Sequence, residues 1–68
     1  MTNYLRDSQD IIRRLKADGF VLVSARGSHH KYRHPESGNT VILPHPRKDI
    51  PVGTVRSIYR QAGWNGDA

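Results

Sequence analysis

A chain of 68 residues with a formal charge of +5 and no cysteine is one small domain, and domains of this size bury only about 60% of their unfolded surface. Disulfide staples and thiolate metal sites are excluded. No apolar run approaches the ~20 residues of a membrane span. The stretch from Met1 to Asp10 lacks the apolar segment of a signal peptide. The expectation is therefore a cytoplasmic protein with no membrane partner, and the excess of cations points to a polyanion or an acidic protein as its partner.

Met1 to Asp7 is polar apart from Tyr4 and Leu5 and reads as a loosely held lead-in. Ser8 suits a helix N-cap, and Asp10 sits where the helix dipole favours an anion. Ile11, Ile12 and Leu15 then fall at helical spacing, with Arg13, Arg14 and Lys16 on the other side. Gly19 is a natural stop, so the spacing predicts a helix over Gln9 to Asp18. Its basic residues read as a solvated face.

Phe20 to Ala25 is rich in β-formers and predicts a strand. Arg26-Gly27 turns the chain into a second strand, Ser28 to His34. That strand is antiparallel to the first because the connection is too short for a crossover. Pro35 to Asn39 is dense in turn residues, and Thr40 to Leu43 is the third strand. The segment Pro44 to Asp49 carries two prolines and cannot be regular structure. A second helix starts near Pro51, with an apolar stripe of Val52, Val55, Ile58, Tyr59 and Ala62. Gly63 ends it, and Trp64 is placed to fold back as the hydrophobic contact of the cap.

The expected order is α-β-β-β-α. A three-stranded antiparallel sheet with two helices on one face makes a two-layer α+β domain. It spans residues 1–68, with 1–7 as lead-in and 65–68 as tail.

The chemistry concentrates in Arg26-Gly27-Ser28-His29-His30-Lys31-Tyr32-Arg33-His34. Histidine gives and takes protons near neutrality, and the adjacent cations suit phosphate. No histidine pair has the spacing of a metal site on one helix, and no thiolate or acidic ligand accompanies the four, so neither a metal nor another cofactor is expected. Side chains alternate across a strand. His30, Tyr32 and His34 share one face, and His29, Lys31 and Arg33 share the other. Two fixed cations mark the second face as the solvent face, which points to His29 as the exposed histidine beside phosphate.

Gly27-Ser28-His29-His30-Lys31-Tyr32, Val41 to Pro44, His45-Pro46-Arg47-Lys48-Asp49, Pro51-Val52-Gly53-Thr54-Val55-Arg56-Ser57-Ile58 and Gln61-Ala62-Gly63 together resemble the HicA toxin family. Ile11-Ile12-Arg13-Arg14-Leu15 and Asp18-Gly19-Phe20 match as well, so the resemblance runs from about Ser8 to Trp64. It implies a fold like that of double-stranded-RNA-binding domains. It also implies a metal-independent endonuclease acting on messenger RNA, an RNA-binding hydrolase held in check by a cognate HicB antitoxin. The protein would be a monomer alone and a hetero-oligomer with that antitoxin. The resemblance implies that the functional histidine is the second position of the family's Gly-Ser-X-His turn, His30, and that His29, at the variable first position, inherits no role, whereas strand parity points to His29.

Metal-free RNA cleavage needs a base for the 2′-hydroxyl proton, an acid for the leaving 5′ oxygen, and donors or cations for the phosphorane. His30 fills one proton-transfer role. Ser28, His29 and His45 are candidate support, with His45 a second proton donor. Gly27, Lys31, Arg33, Arg47 and Lys48 are candidate RNA contacts. The competing class is a non-catalytic RNA-binding domain of the same fold, which needs the cations but no group titrating near pH 7. A third reading is an interaction module for an acidic protein.

Overall fold

A computed structural model describes residues 4–64. The element order is α1 (Ser8–Ala17), β1 (Val21–Arg26), β2 (His29–Arg33), β3 (Thr40–Pro44) and α2 (Val52–Ala62). The three strands form one antiparallel sheet in the order β1-β2-β3. The α+β architecture is the expected one, with element ends displaced by about a residue. The tail at 65–68 and the first three residues of the lead-in lie outside the described residues.

Both helices end by the same device. Gly19 (φ 98°) and Gly63 (φ 82°) adopt the left-handed conformation that favours glycine. After each glycine the next amide reaches back along the helix, Phe20 N–H to the Leu15 carbonyl at 2.9 Å and Trp64 N–H to the Tyr59 carbonyl at 2.9 Å. This closes the last turn and folds an aromatic side chain onto the helix it terminates. Phe20 and Trp64 are both buried, so each cap also feeds the core.

That core takes Ile11 and Leu15 from α1, Tyr32, Val41 and Leu43 from the sheet, and Val55, Ile58, Tyr59 and Ala62 from α2, closed by Phe20, Ile50 and Trp64. Burial of each Val, Leu, Ile or Phe side chain among them contributes on the order of 1.5–3 kcal/mol. The helices cover the sheet over β2 and β3, while every residue of β1 is exposed. Gln61 of α2 also accepts a hydrogen bond from Ile42 N–H at 3.1 Å, which occupies a donor of the edge strand β3.

Strand β1 carries a bulge. Leu22 pairs with Tyr32 and Ser24 with Lys31, so Val23 has no partner. The extra residue resets the alternation. Leu22 and Ala25, rather than Leu22 and Ser24, therefore share the helix-facing side with Tyr32 and His30.

Two local expectations are corrected. The N-cap of α1 is Asp7, whose side chain accepts from Gln9 N–H at 2.9 Å. Ser8 is the first helical residue and is fully buried. The end of the lead-in is also not loose. Leu5 N–H donates to the Tyr59 hydroxyl at 3.0 Å, the Arg6 guanidinium donates to the Ile50 carbonyl at 3.0 Å and pairs with Asp49 at 2.9 Å, and Ile50 N–H returns to the Arg6 carbonyl at 2.9 Å. Tyr4 stacks edge-on against Tyr59. Two polar segments thus satisfy each other's backbone groups, which hydropathy along the chain does not reveal.

The two helix ends are tied together where the Trp64 indole N–H donates to the Asp18 carboxylate at 2.6 Å, with Arg14 lying over the indole at 4.1 Å. Trp64→Phe keeps an aromatic ring and deletes this charge-assisted bond, so it should cost about 2 kcal/mol and lower Tm by about 10 °C in calorimetry. An unchanged Tm would show that the tie carries no stability.

Candidate active site

The helix-facing side of β2 emerges from under the helices at His30. Cross-strand pairing places Ala25 on one flank of His30 and Leu43 on the other. The small Ala25 leaves the imidazole room, and a cavity of about 410 Å³ opens beside it, lined by Gln9, Ile12, Arg13 and Lys16 of α1, Leu22 and Tyr32 of the sheet, and His30 and His45. The four α1 residues recur at i, i+3, i+4 and i+7, one face of the helix. The adjacent face, Ser8, Ile11 and Leu15, is the one buried in the core.

His45 reaches this cavity from the loop after β3. Its backbone N–H donates to the Ser28 carbonyl at 2.8 Å, and its ring Nδ1 meets the Ser8 hydroxyl at 2.6 Å. The Ser8 oxygen also accepts from Arg47 N–H at 2.9 Å, while Ser8 N–H donates to the Arg47 carbonyl at 2.8 Å. Backbone and side chain of His45 are thereby both fixed. Its ring stands edge-to-face with that of His30, centroids 5.0 Å apart.

The electrostatics of the cavity are cationic. Arg13 is paired with Asp10 at 3.1 Å, and Lys16 makes no ion pair among the described residues. Tyr32, at the floor, has its phenol pushed above the ordinary value of 10.0 by burial. It therefore stays protonated at neutral pH and remains a hydrogen-bond donor.

The sequence candidates separate into two groups. His30 and His45 meet in the cavity, and Ser28 supports His45 through its carbonyl. Gly27, at φ 56°, forms the turn just before them. Arg47 and Lys48 continue the loop after His45 with exposed side chains. His29, Lys31 and Arg33 are exposed and project from the open face of the sheet, opposite the cavity. The parity argument correctly identified that face as solvated. His30, however, is also reachable, because the helices do not extend over β1. His34 is engaged elsewhere, its Nε2 at 3.0 Å from the Asp18 carbonyl and its Nδ1 receiving the N–H groups of Glu36 and Ser37 at 3.2 Å each.

Sequence reasoning missed Ser8, which reads as an ordinary cap, and left the α1 cations undivided as one solvated face. Arg13 and Lys16 rim the cavity, whereas Arg14 packs over Tyr59 and Trp64. The i, i+3, i+4, i+7 spacing of Gln9, Ile12, Arg13 and Lys16 was the available signal. No group of three or more His, Cys, Asp or Glu side chains gathers as metal ligands among the described residues. No described helix is long and apolar enough to cross a membrane.

Two histidines and two α1 cations around one concavity supply the charge and donors that an anionic group would need. Inorganic phosphate titrated into the isotopically labelled protein at low salt should shift the ring signals of His30 and His45 before those of His29 and His34, and added salt should weaken the effect. Shifts led by His29 would place the anion site on the open face instead.

Comparison with known proteins gives one family match. The family model described as the HicA toxin of bacterial toxin–antitoxin systems covers residues 8–64, from the first residue of α1 to the aromatic cap of α2. No curated protein gives a significant match.

Proposed function

The chain belongs to the HicA toxin family of bacterial toxin–antitoxin systems, and on that premise we propose that it is a metal-independent endoribonuclease that cleaves messenger RNA in the cytoplasm. Family membership makes it a toxin with an antitoxin partner. The finer reading, an RNase restrained by a HicB-type antitoxin, is our own. The observation that carries it is the meeting of His30 and His45 in a cavity edged by Arg13 and Lys16.

His30 is the proton-transfer group. It has no side-chain hydrogen bond among the described residues, so a ring nitrogen is free to take the 2′-hydroxyl proton of a bound ribose. The 2′ oxygen then bonds to phosphorus and the bond from phosphorus to the 5′ oxygen breaks. A 2′,3′-cyclic phosphate and a 5′-hydroxyl result, the latter completed by a proton. Lys16 and Arg13 hold the phosphate from α1, with Arg47 and Lys48 beyond His45. Lys31 and Arg33 contribute from the far face as long-range attraction. A protein that only bound RNA would gain nothing from an imidazole held without a hydrogen bond among the described residues beside such cations.

Purified protein incubated with a long single-stranded RNA in EDTA should generate new ends, and His30→Ala should reduce the rate by roughly 10²–10⁴-fold while leaving RNA affinity near native. Binding without cleavage by the native protein would establish the non-catalytic RNA-binding reading. Loss of cleavage in EDTA would overturn the metal-free assignment.

A further inference from the structure

The hydrogens around Ser8 can be counted. Its hydroxyl is fully buried and has two partners among the described residues, Arg47 N–H and His45 Nδ1. The Arg47 amide can only donate, so it uses a lone pair of the serine oxygen. The hydroxyl hydrogen then has one acceptor available, His45 Nδ1 at 2.6 Å. Were Nδ1 protonated instead, the serine oxygen would accept twice and its own hydrogen would be buried without a partner, which native structures avoid. Neutral His45 therefore carries its proton on Nε2, the nitrogen left without a partner among the described residues.

This restricts what His45 does. It cannot act as a base through Nε2, because that nitrogen already holds hydrogen. It cannot give up a proton as an imidazolium without also holding one on Nδ1, aimed at Ser8. What it offers is a fixed neutral N–H. Such a donor, held before reaction, stabilises charge developing on a phosphoryl oxygen without transferring a proton.

We infer that Ser8 is a positioning residue that locks His45 in its Nε2–H tautomer, and that His45 serves the cavity as a neutral hydrogen-bond donor to the phosphoryl oxygen rather than as the second proton-transfer group. The donor role rests on the ribonuclease reading above; the tautomer does not. Proton transfer then falls to His30, and solvent supplies the hydrogen of the departing 5′-hydroxyl while the proton taken by His30 returns to solvent. The role given to His45 differs from the proton donor that its place in the loop first suggested. The His45 ring meets His30 from β2 and Ser8, and shares the cavity with the cations Arg13 and Lys16 of α1.

Two experiments decide it. Two-bond proton–nitrogen correlation spectra of the labelled protein at pH 8 should show His45 protonated on Nε2, and Ser8→Ala should convert this single tautomer into a mixture. Protonation on Nδ1 in the native protein would overturn the assignment whether or not the protein cuts RNA. In cleavage assays His45→Gln, whose amide retains an N–H near the Nε2 position, should stay within about tenfold of native, while His45→Ala loses about 10²–10³-fold. Gln as inactive as Ala, with native spectra elsewhere, would overturn the donor role. A native protein that binds RNA without cutting it would remove the donor role together with the ribonuclease reading, and the spectra would still decide the tautomer.

Discussion

The buried hydroxyl of Ser8 joins two parts of the chain that are distant in sequence. It lies at the start of α1, accepts from the backbone of Arg47 and reaches the ring of His45. The reciprocal bond from Ser8 N–H to the Arg47 carbonyl makes the first turn of the helix and the loop after β3 a single unit. A helix leaves its first amides without internal partners. Here Asp7 satisfies one of them and the loop satisfies another. The same loop carries His45, so the bonding that starts the helix also fixes the angle at which an imidazole meets the cavity.

The rest of the site follows from what the helices leave uncovered. α2 packs along β3 and occupies an amide of that strand through Gln61. α1 buries Ile11 and Leu15 and turns its next face, Gln9, Ile12, Arg13 and Lys16, toward a sheet edge that no helix closes. The resulting cavity has a helix wall bearing cations, a strand floor bearing Tyr32 and His30, and a loop wall bearing His45. A 68-residue chain has little material to build an enclosed pocket. On the proposed function the arrangement needs none, because an extended polyanion requires an open trough with charge along one side.

What was legible in the sequence was whatever depends on local pattern. Gly19 and Gly63 announced both helix ends, and the apolar stripe of α2 announced its buried face, except that Val52, expected in the stripe, is exposed. Resemblance pointed to His30 and alternation alone to His29; His30 lines the cavity and His29 lies on the open face. Alternation sorted the residues of β2 onto the correct faces, since His29, Lys31 and Arg33 are together on the open side. It did not show that the other side is accessible, because that depends on where the helices stop. Nor could it handle β1, where the unpaired Val23 shifts Ala25 beside His30. Contacts between polar segments far apart in sequence were least legible. Arg6 with Asp49, Ser8 with His45 and Trp64 with Asp18 join residues whose types are ordinary on any surface.

The two histidines of the cavity illustrate how identical side chains acquire different chemistry. His34 shows the general rule at a site with no part in it: both ring nitrogens are occupied by backbone groups, so it serves only to hold the turn before β3 against the end of α1. His45 has one nitrogen occupied and one free. His30 has neither nitrogen hydrogen-bonded among the described residues and touches its neighbour only edge-to-face. The number of committed nitrogens is two, one and none, and on the proposed reading this orders the three from structural, through fixed donor, to proton-transfer group. Of these three rings, a change of protonation at His34 or His45 would break a bond that the architecture uses, which is why the proposed mechanism assigns proton transfer to His30.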